Sequence, residues 1–387
     1  MKNIAVIIAL LFLVGAALAV SNQTGTMAGN FLKLGGGVRA ASMGNAFVAL
    51  SDDPSAIYWN PAGLTQLKTM AFSSMHNSFL ADMSYSNLTL NLFESRTNLS
   101  SGLSLDYVSA GEMEETSASQ PYGTGRKFTP VFIALTAPFA FQLLPPLSFG
   151  LNVKTLIDRI DTAEAIGYAF DAGILWKITE TYSAGFCARN FAGALSEFSQ
   201  AGAQAQYPLA SNYALGLCCR LPNLILALDY NLPSDNQNYY SLGAEYNFRD
   251  TFFGRVGFST RSEENAGGNL GAGLGLKFGM ARLDYAYVPY GDLGVTQRIA
   301  FSLIMPEQKT SAPSAEAQIS AEAQVTAEAH PTVAVTPSIE VQASVEAQTV
   351  APAIVKKPAK PAVVKKAAVH KKAKIIKKKP RKKRRRR

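Results

Sequence analysis

Between residues 68 and 305 apolar and polar side chains alternate almost one for one. In 102–107, Leu103, Leu105 and Tyr107 share one face, while Gly102, Ser104 and Asp106 share the other. In 240–248, Tyr240, Leu242, Ala244, Tyr246 and Phe248 oppose Ser241, Gly243, Glu245 and Asn247. The pattern returns in 282–287 and in 298–305, where Ile299, Phe301, Leu303 and Met305 share a face. A period of two is the signature of β-strands whose two faces meet different surroundings. With its turn residues it predicts fourteen strands, near 68–76, 81–93, 100–108, 128–138, 146–161, 165–178, 182–193, 210–222, 224–233, 238–249, 251–260, 267–279, 281–290 and 297–305.

Most of these reach the roughly 9–11 residues that a tilted strand needs to cross a bilayer. Soluble strands are shorter, most often about 5–6 residues. An even number of long antiparallel strands closes without a free edge, as lipid requires. The fold class is therefore all-β: a fourteen-stranded antiparallel transmembrane β-barrel. The connections agree. Those at 109–127, 194–209, 261–266 and 291–296 are long and fall on one side, whereas 179–181, Asn223, Asp250 and Met280 make short turns on the other. The apolar connection 139–145 is too long for the short-turn side. An even strand count puts both ends of the barrel on that side.

The polar phase of the strands carries Asp106, Lys154, Asp229, Glu245, Arg282, Asp284 and Arg298, which would line the lumen. They would pair with one another in a filled interior; a selective ion path is the alternative.

Before the first strand, 37–67 is small and turn-rich rather than alternating. Val38 to Leu50 suits a short helix, Asp53 reads as an N-cap with Pro54 at N1, and Asn60-Pro61-Ala62-Gly63 reads as a turn. Such a segment cannot fold alone and would be buried inside the barrel as a plug.

Composition places the chain. Lys2, an apolar run from Ile4 to Val14 and Ala17-Leu18-Ala19 make a secretory signal peptide over 1–19, too short for a retained span. The net charge of +9 divides unevenly: residues 20–305 are acidic by 5 and residues 306–387 are basic by 13. Cys187, Cys218 and Cys219 have no metal-ligand spacing; they read as small apolar strand residues, with a bridge from Cys187 to either neighbour as the alternative. The body holds one histidine, His76, and no nucleophile elbow, so no enzyme, cofactor or metal is expected. The glycines of 268–275 lie in a strand pattern, not a phosphate loop.

The segment "GVRAASMGNAFVALSDDPSAIYWNPAGLTQL" (37–67) resembles the N-terminal signature of FadL-like outer-membrane proteins, most closely the PorV/PorQ group. "YGDLGVTQRIAFSLIM" (290–305) is similar to that group's closing hairpin. The resemblance implies a plug over 20–67 inside a barrel over 68–305. By it, Arg39, Met43, Gly44, Phe47, Asp52, Asp53, Asn60, Pro61 and Gly63 would hold the plug against the wall. It also implies protein secretion, with exported cargo proteins or secretion-machinery subunits as partners beside outer-membrane lipid. A FadL-type transporter of fatty acids or other hydrophobic molecules is the alternative.

Residues 306–355 repeat "SAEAQI", "SAEAQV" and "TAEAHP" without aromatics, the composition of a disordered spacer. Residues 356–387 hold 18 Lys/Arg and no acid. In the periplasm such a tail would meet peptidoglycan or anionic phospholipid. The signal peptide argues against nucleic acid as a partner.

Overall fold

The computed structural model describes residues 27–198, 205–261, 270–290 and 294–306. The signal peptide, the turn residues 291–293, the spacer and the basic tail lie outside the described residues. Fourteen long strands make the wall. They are β1 (Ala71–Ser78), β2 (Ser84–Glu94), β3 (Leu99–Ser109), β4 (Val131–Leu144), β5 (Leu147–Ile160), β6 (Ala163–Lys177) and β7 (Tyr182–Ser196). The second half comprises β8 (Asn212–Arg220), β9 (Leu224–Pro233), β10 (Tyr239–Phe248), β11 (Phe252–Ser259), β12 (Leu270–Phe278), β13 (Ala281–Pro289) and β14 (Val295–Ile304). Each pairs antiparallel with its neighbours in sequence, and β1 pairs with β14 from Ala71 opposite Ile304 to Ser78 opposite Gln297. The sheet is thus closed. A three-residue strand, Gln206–Pro208, adds to the end of β7, and a small hairpin, Met113–Glu114 with Lys127–Phe128, sits in the longest loop.

The outward phase is apolar and exposed on most strands, as at Leu103, Leu105 and Tyr107 on β3 and at Leu283, Tyr285 and Tyr287 on β13, with a polar stretch on β1 at Ser74, His76 and Ser78. Exposed tyrosines (Tyr107, Tyr168, Tyr213, Tyr240, Tyr287) gather towards the long-loop rim. Trp176, Phe248, Phe252 and Phe278 gather towards the short-turn rim. An apolar band between two aromatic girdles is how a barrel meets a bilayer.

Fourteen strands stand where the alternation predicts them, with one boundary corrected. β4 continues to Leu144 and turns at Pro145-Pro146, so 139–145 is mostly strand and the short-turn side has no exception. Two prolines at the turn close the hairpin, and the outward phase simply runs on through Phe139, Phe141 and Leu143.

The predicted inner segment is there, but with less helix than its residues suggest. α1 spans only Val38–Ser42, because Gly44 and Asn45 both take left-handed backbone and turn the chain across the lumen. Asp53 does not cap a helix from Pro54. Its carboxylate accepts from the backbone N–H (2.9 Å) and hydroxyl (2.6 Å) of Ser55 in a local turn, and α2 begins at Ala56 and ends at Trp59. Asn60 then caps a 3-10 turn, Pro61–Gln66, by accepting from Ala62 N–H.

The plug runs the length of the barrel. Ala28 N–H donates to Pro208 O (3.2 Å) at the long-loop rim, and Thr65 donates to Ser148 (2.8 Å) near the short-turn rim, next to the start of β1. Residue 27 therefore lies at the long-loop side, not with Pro306 at the short turns. The chain crosses the lumen once before its first strand does.

Candidate functional site

The lumen is where wall and plug meet, and small residues decide how closely. Gly150, Gly173, Gly185, Gly243, Gly257 and Gly271 point inward from six strands, and a Cβ on any of them would overlap plug backbone or the Asn60 side chain. At Gly257 the overlap would be with the backbone of Met43 and Gly44. Met43 is fully buried there, and Gly63 similarly has no room for a side chain against Ser51. Wall and plug fit backbone to backbone, a contact only glycine permits.

Near the short turns the fit is electrostatic. Arg39 donates from Nε and Nη2 to the two oxygens of Glu245 (2.7 and 2.8 Å), a bidentate pair, and also meets Asp52 and Asp53. Glu245 accepts from Arg255 Nε as well (2.6 Å) and lies 3.4 Å from Arg282. Asp284 pairs with Arg255 (2.8 Å) and Arg282 (3.1 Å), while Arg220 reaches Asp52 (3.4 Å). Four arginines thus face four carboxylates, a cluster with no net charge. Arg39 also lies over the Phe47 ring, 5.5 Å from its centroid.

Backbone groups of the plug are held in the same way. Asp229 accepts from Phe47 N–H (2.7 Å) and Val48 N–H (2.9 Å). Asn60 donates to Val48 O (2.8 Å) and Ile174 O (3.0 Å), joining two plug strands of chain to β6, and Pro61 follows it against Gly150 and Gly173. Arg298 donates to Gly35 O and Leu34 O, both at 3.0 Å. Higher in the barrel, Lys154 pairs with Asp171 (2.7 Å), and Asp106 accepts from Tyr85 and Asn87 (both 2.7 Å).

All seven candidate lumen residues therefore face inward, and every candidate plug residue lies in or against the lumen. Glu245, Arg282 and Asp284 come together with Arg39, Asp52 and Asp53; Asp106, Lys154, Asp229 and Arg298 stand apart from that cluster and serve other points of the plug. The pairing fills the interior instead of lining an open ion path. Sequence reasoning missed Arg220, Arg255, Asp171 and Arg189. The first three lie on the inward phase of β8, β11 and β6, so alternation could have found them. All three cysteines are free.

Two small interior cavities in the long-loop half are lined by described residues. One of about 20 Å³ is lined by Phe31, Leu32, Ile57, Tyr58, Tyr85 and Asp106 among others. The other, of about 50 Å³, adjoins Tyr58, Trp59 and Arg189. At the loop rim, Arg126 bonds Asp161 and Glu115. Bonded to it, Arg126 holds the Asp161 carboxyl below its usual range.

This is a plugged, lipid-facing β-barrel with a closed lumen. Residues 14–168 match the family described as "Uncharacterised protein family (UPF0164)". Among solved structures, the CymD monoaromatic hydrocarbon channel is similar over 71% of this chain and 98% of its own, at 14% identity and a TM-score of 0.51. The Pseudomonas putida toluene transporter TodX is similar over 69% and 96%, at 14% identity and a TM-score of 0.51. A Pseudomonas aeruginosa FadL homologue covers 74% of this chain and 98% of its own, at 14% identity and a TM-score of 0.42. No curated protein matches the chain at a significant level. At these identities the likeness to CymD and TodX establishes the fold.

Proposed function

We propose that the chain is an outer-membrane channel of the FadL type, admitting small hydrophobic molecules through a plugged barrel. The observation that carries this reading is the threaded plug, in a fold shared with barrels described as a monoaromatic hydrocarbon channel and a toluene transporter. A lumen filled by a short, poorly helical segment blocks ions and water. Displacing part of that segment would admit one solute at a time. The expected PorV-like secretion role draws its support from the motifs at 37–67 and 290–305, and the structural likeness favours transport.

The test is to purify the tagged full chain from mildly solubilised outer membranes and identify bound lipids and proteins by mass spectrometry. A near-stoichiometric apolar molecule is expected. Exported proteins sharing a C-terminal domain, with no apolar ligand, would turn the reading to secretion. For the tail we propose a tether: residues 356–387 hold the barrel to peptidoglycan or to anionic headgroups, at about 1 kcal/mol per basic residue near a charged lipid surface. Binding of the full chain to purified sacculi or anionic vesicles should weaken at high salt and on deletion of 356–387. Equal binding by the deleted chain would end the idea.

A further inference from the structure

β7 is irregular in the middle of its length. Its pairing with β6 slips between Tyr168 and Phe170 and again between Phe170 and Ala172, and Asn190 and Ala192 take left-handed backbone. These bulges break the in-out alternation, so that Arg189 and Asn190, adjacent in sequence, are both buried. Bulges commonly re-aim side chains in this way beside functional sites.

Arg189 is 5% exposed, and its surroundings do not neutralise it. Its guanidinium lies over the rings of Tyr58 (5.3 Å) and Trp59 (5.0 Å) and donates one bond, from Nη2 to the Asn231 amide oxygen at 3.3 Å. Nε meets no partner, and among the described residues no carboxylate comes within ion-pair distance of it. Burying an uncompensated charge is costly, and the cost is relieved by an anion.

The adjoining cavity of about 50 Å³ supplies the other half of the argument. Lys33, Lys154 and Arg189 are among its lining; Lys33 is paired with Asp235 and Lys154 with Asp171, which leaves the Arg189 charge without a carboxylate among the described residues. Three buried oxygens on its lining have no donor: Asn45 Oδ1, Asn212 Oδ1 and Asp235 Oδ1, the last on a carboxylate whose other oxygen is bonded to Lys33. Asn212 is the cross-strand neighbour of Arg189. Opposed residues in an antiparallel pair hold their Cβ atoms about 4.5–5.5 Å apart, so an orphan donor and an orphan acceptor face one small space.

We propose that this cavity binds a small α-hydroxy or α-amino carboxylate, the carboxylate against Arg189 and the hydroxyl or ammonium donating to Asn45, Asn212 and Asp235. The size agrees: if one water needs about 10–15 Å³ of such space, the cavity of about 50 Å³ holds roughly three to five non-hydrogen atoms. The amide and carboxylate oxygens on the wall exclude a hydrocarbon tail. The proposal does not depend on the transport reading.

The experiment is equilibrium dialysis of the purified full chain against labelled glycolate and labelled glycine, with acetate, chloride and uncharged glycolamide as competitors. Saturable binding of glycolate or glycine at one site per chain is expected, and the tighter of the two identifies the hydroxyl or the ammonium form. Arg189→Gln should weaken binding by about tenfold to a hundredfold, the value of a charge-assisted hydrogen bond, while Arg189→Lys retains part of it. Asn212→Ala keeps the charge and should weaken glycolate more than acetate. Heat-modifiable migration on gels verifies that each variant folds. No saturable binding, equal competition by glycolamide or chloride, or unchanged affinity in folded Arg189→Gln would each overturn the proposal.

Discussion

The two halves of the lumen are built on opposite terms. Near the short turns, Arg39, Arg220, Arg255 and Arg282 face Asp52, Asp53, Glu245 and Asp284 within ion-pair distance. Near the long loops, Arg189 is buried over two rings without a carboxylate, and two small interior cavities lie there. In the lower half every one of these charges meets an opposite one, whereas the upper half holds one buried guanidinium that no described carboxylate pairs.

The strongest way to break the comparison is at Glu245. Glu245→Ala leaves Arg39 and Arg255 buried without their shared carboxylate, a loss of about 3–5 kcal/mol for a broken buried network. Single-channel recordings in planar bilayers should then show frequent open bursts that the native chain lacks, with a lower urea midpoint. Gly257→Val puts a side chain where Met43 and Gly44 pass, and overpacking of this kind costs about 1–3 kcal/mol. The plug should become accessible to trypsin at Arg39 while the wall stays closed.

Asn60→Ala removes bonds to Val48 O, Ile174 O and Ala62 N–H and leaves buried carbonyls unmet, at roughly 1–3 kcal/mol. Amide exchange should rise in 43–66 and remain low in β6. Arg189→Gln sharpens the contrast from the other side. With no ion pair to lose and the cost of an uncompensated buried charge removed, its urea midpoint should stay at or above the native one, where Glu245→Ala falls far below it. The smallest effect concerns pH. Asp161 is held below its usual range by Arg126, so this contact contributes above the ordinary carboxylate pKa and is lost as pH falls through the lowered one. Protection factors in the 112–128 loop, corrected for intrinsic exchange, should be lower at about pH 2 than at pH 7, with the barrel unchanged.

Most of the wall was legible because lipid outside and plug inside impose one rule on every strand. That rule gave Leu103 and Tyr285 their outward places and Asp106 and Glu245 their inward ones. It also covered Arg255 in "FFGRVGFS", which was overlooked although its phase is plain. Arg189 was not readable in this way, since the bulges of β7 end the period at the very residues that matter. The helix expected from Val38 to Leu50 failed for a different reason. Small residues there serve close approach to the wall glycines, and that demand overrides local propensity at Gly44 and Asn45. Partners were beyond local reasoning altogether, because Arg39 and Glu245 meet across 206 positions of sequence.

The path of the plug bears on how the molecule can be made. A segment that enters at the long-loop rim and leaves at the short-turn rim is a thread through a ring. If the ring formed first, the free end would have to be fed through an interior with no room for it. The seam between β1 and β14 must therefore be the last to zip, around a thread already laid along the glycines of the open sheet. Those glycines would then act as a mould during assembly, and a bulky fusion placed ahead of residue 27 would be carried to the long-loop side before the seam shuts.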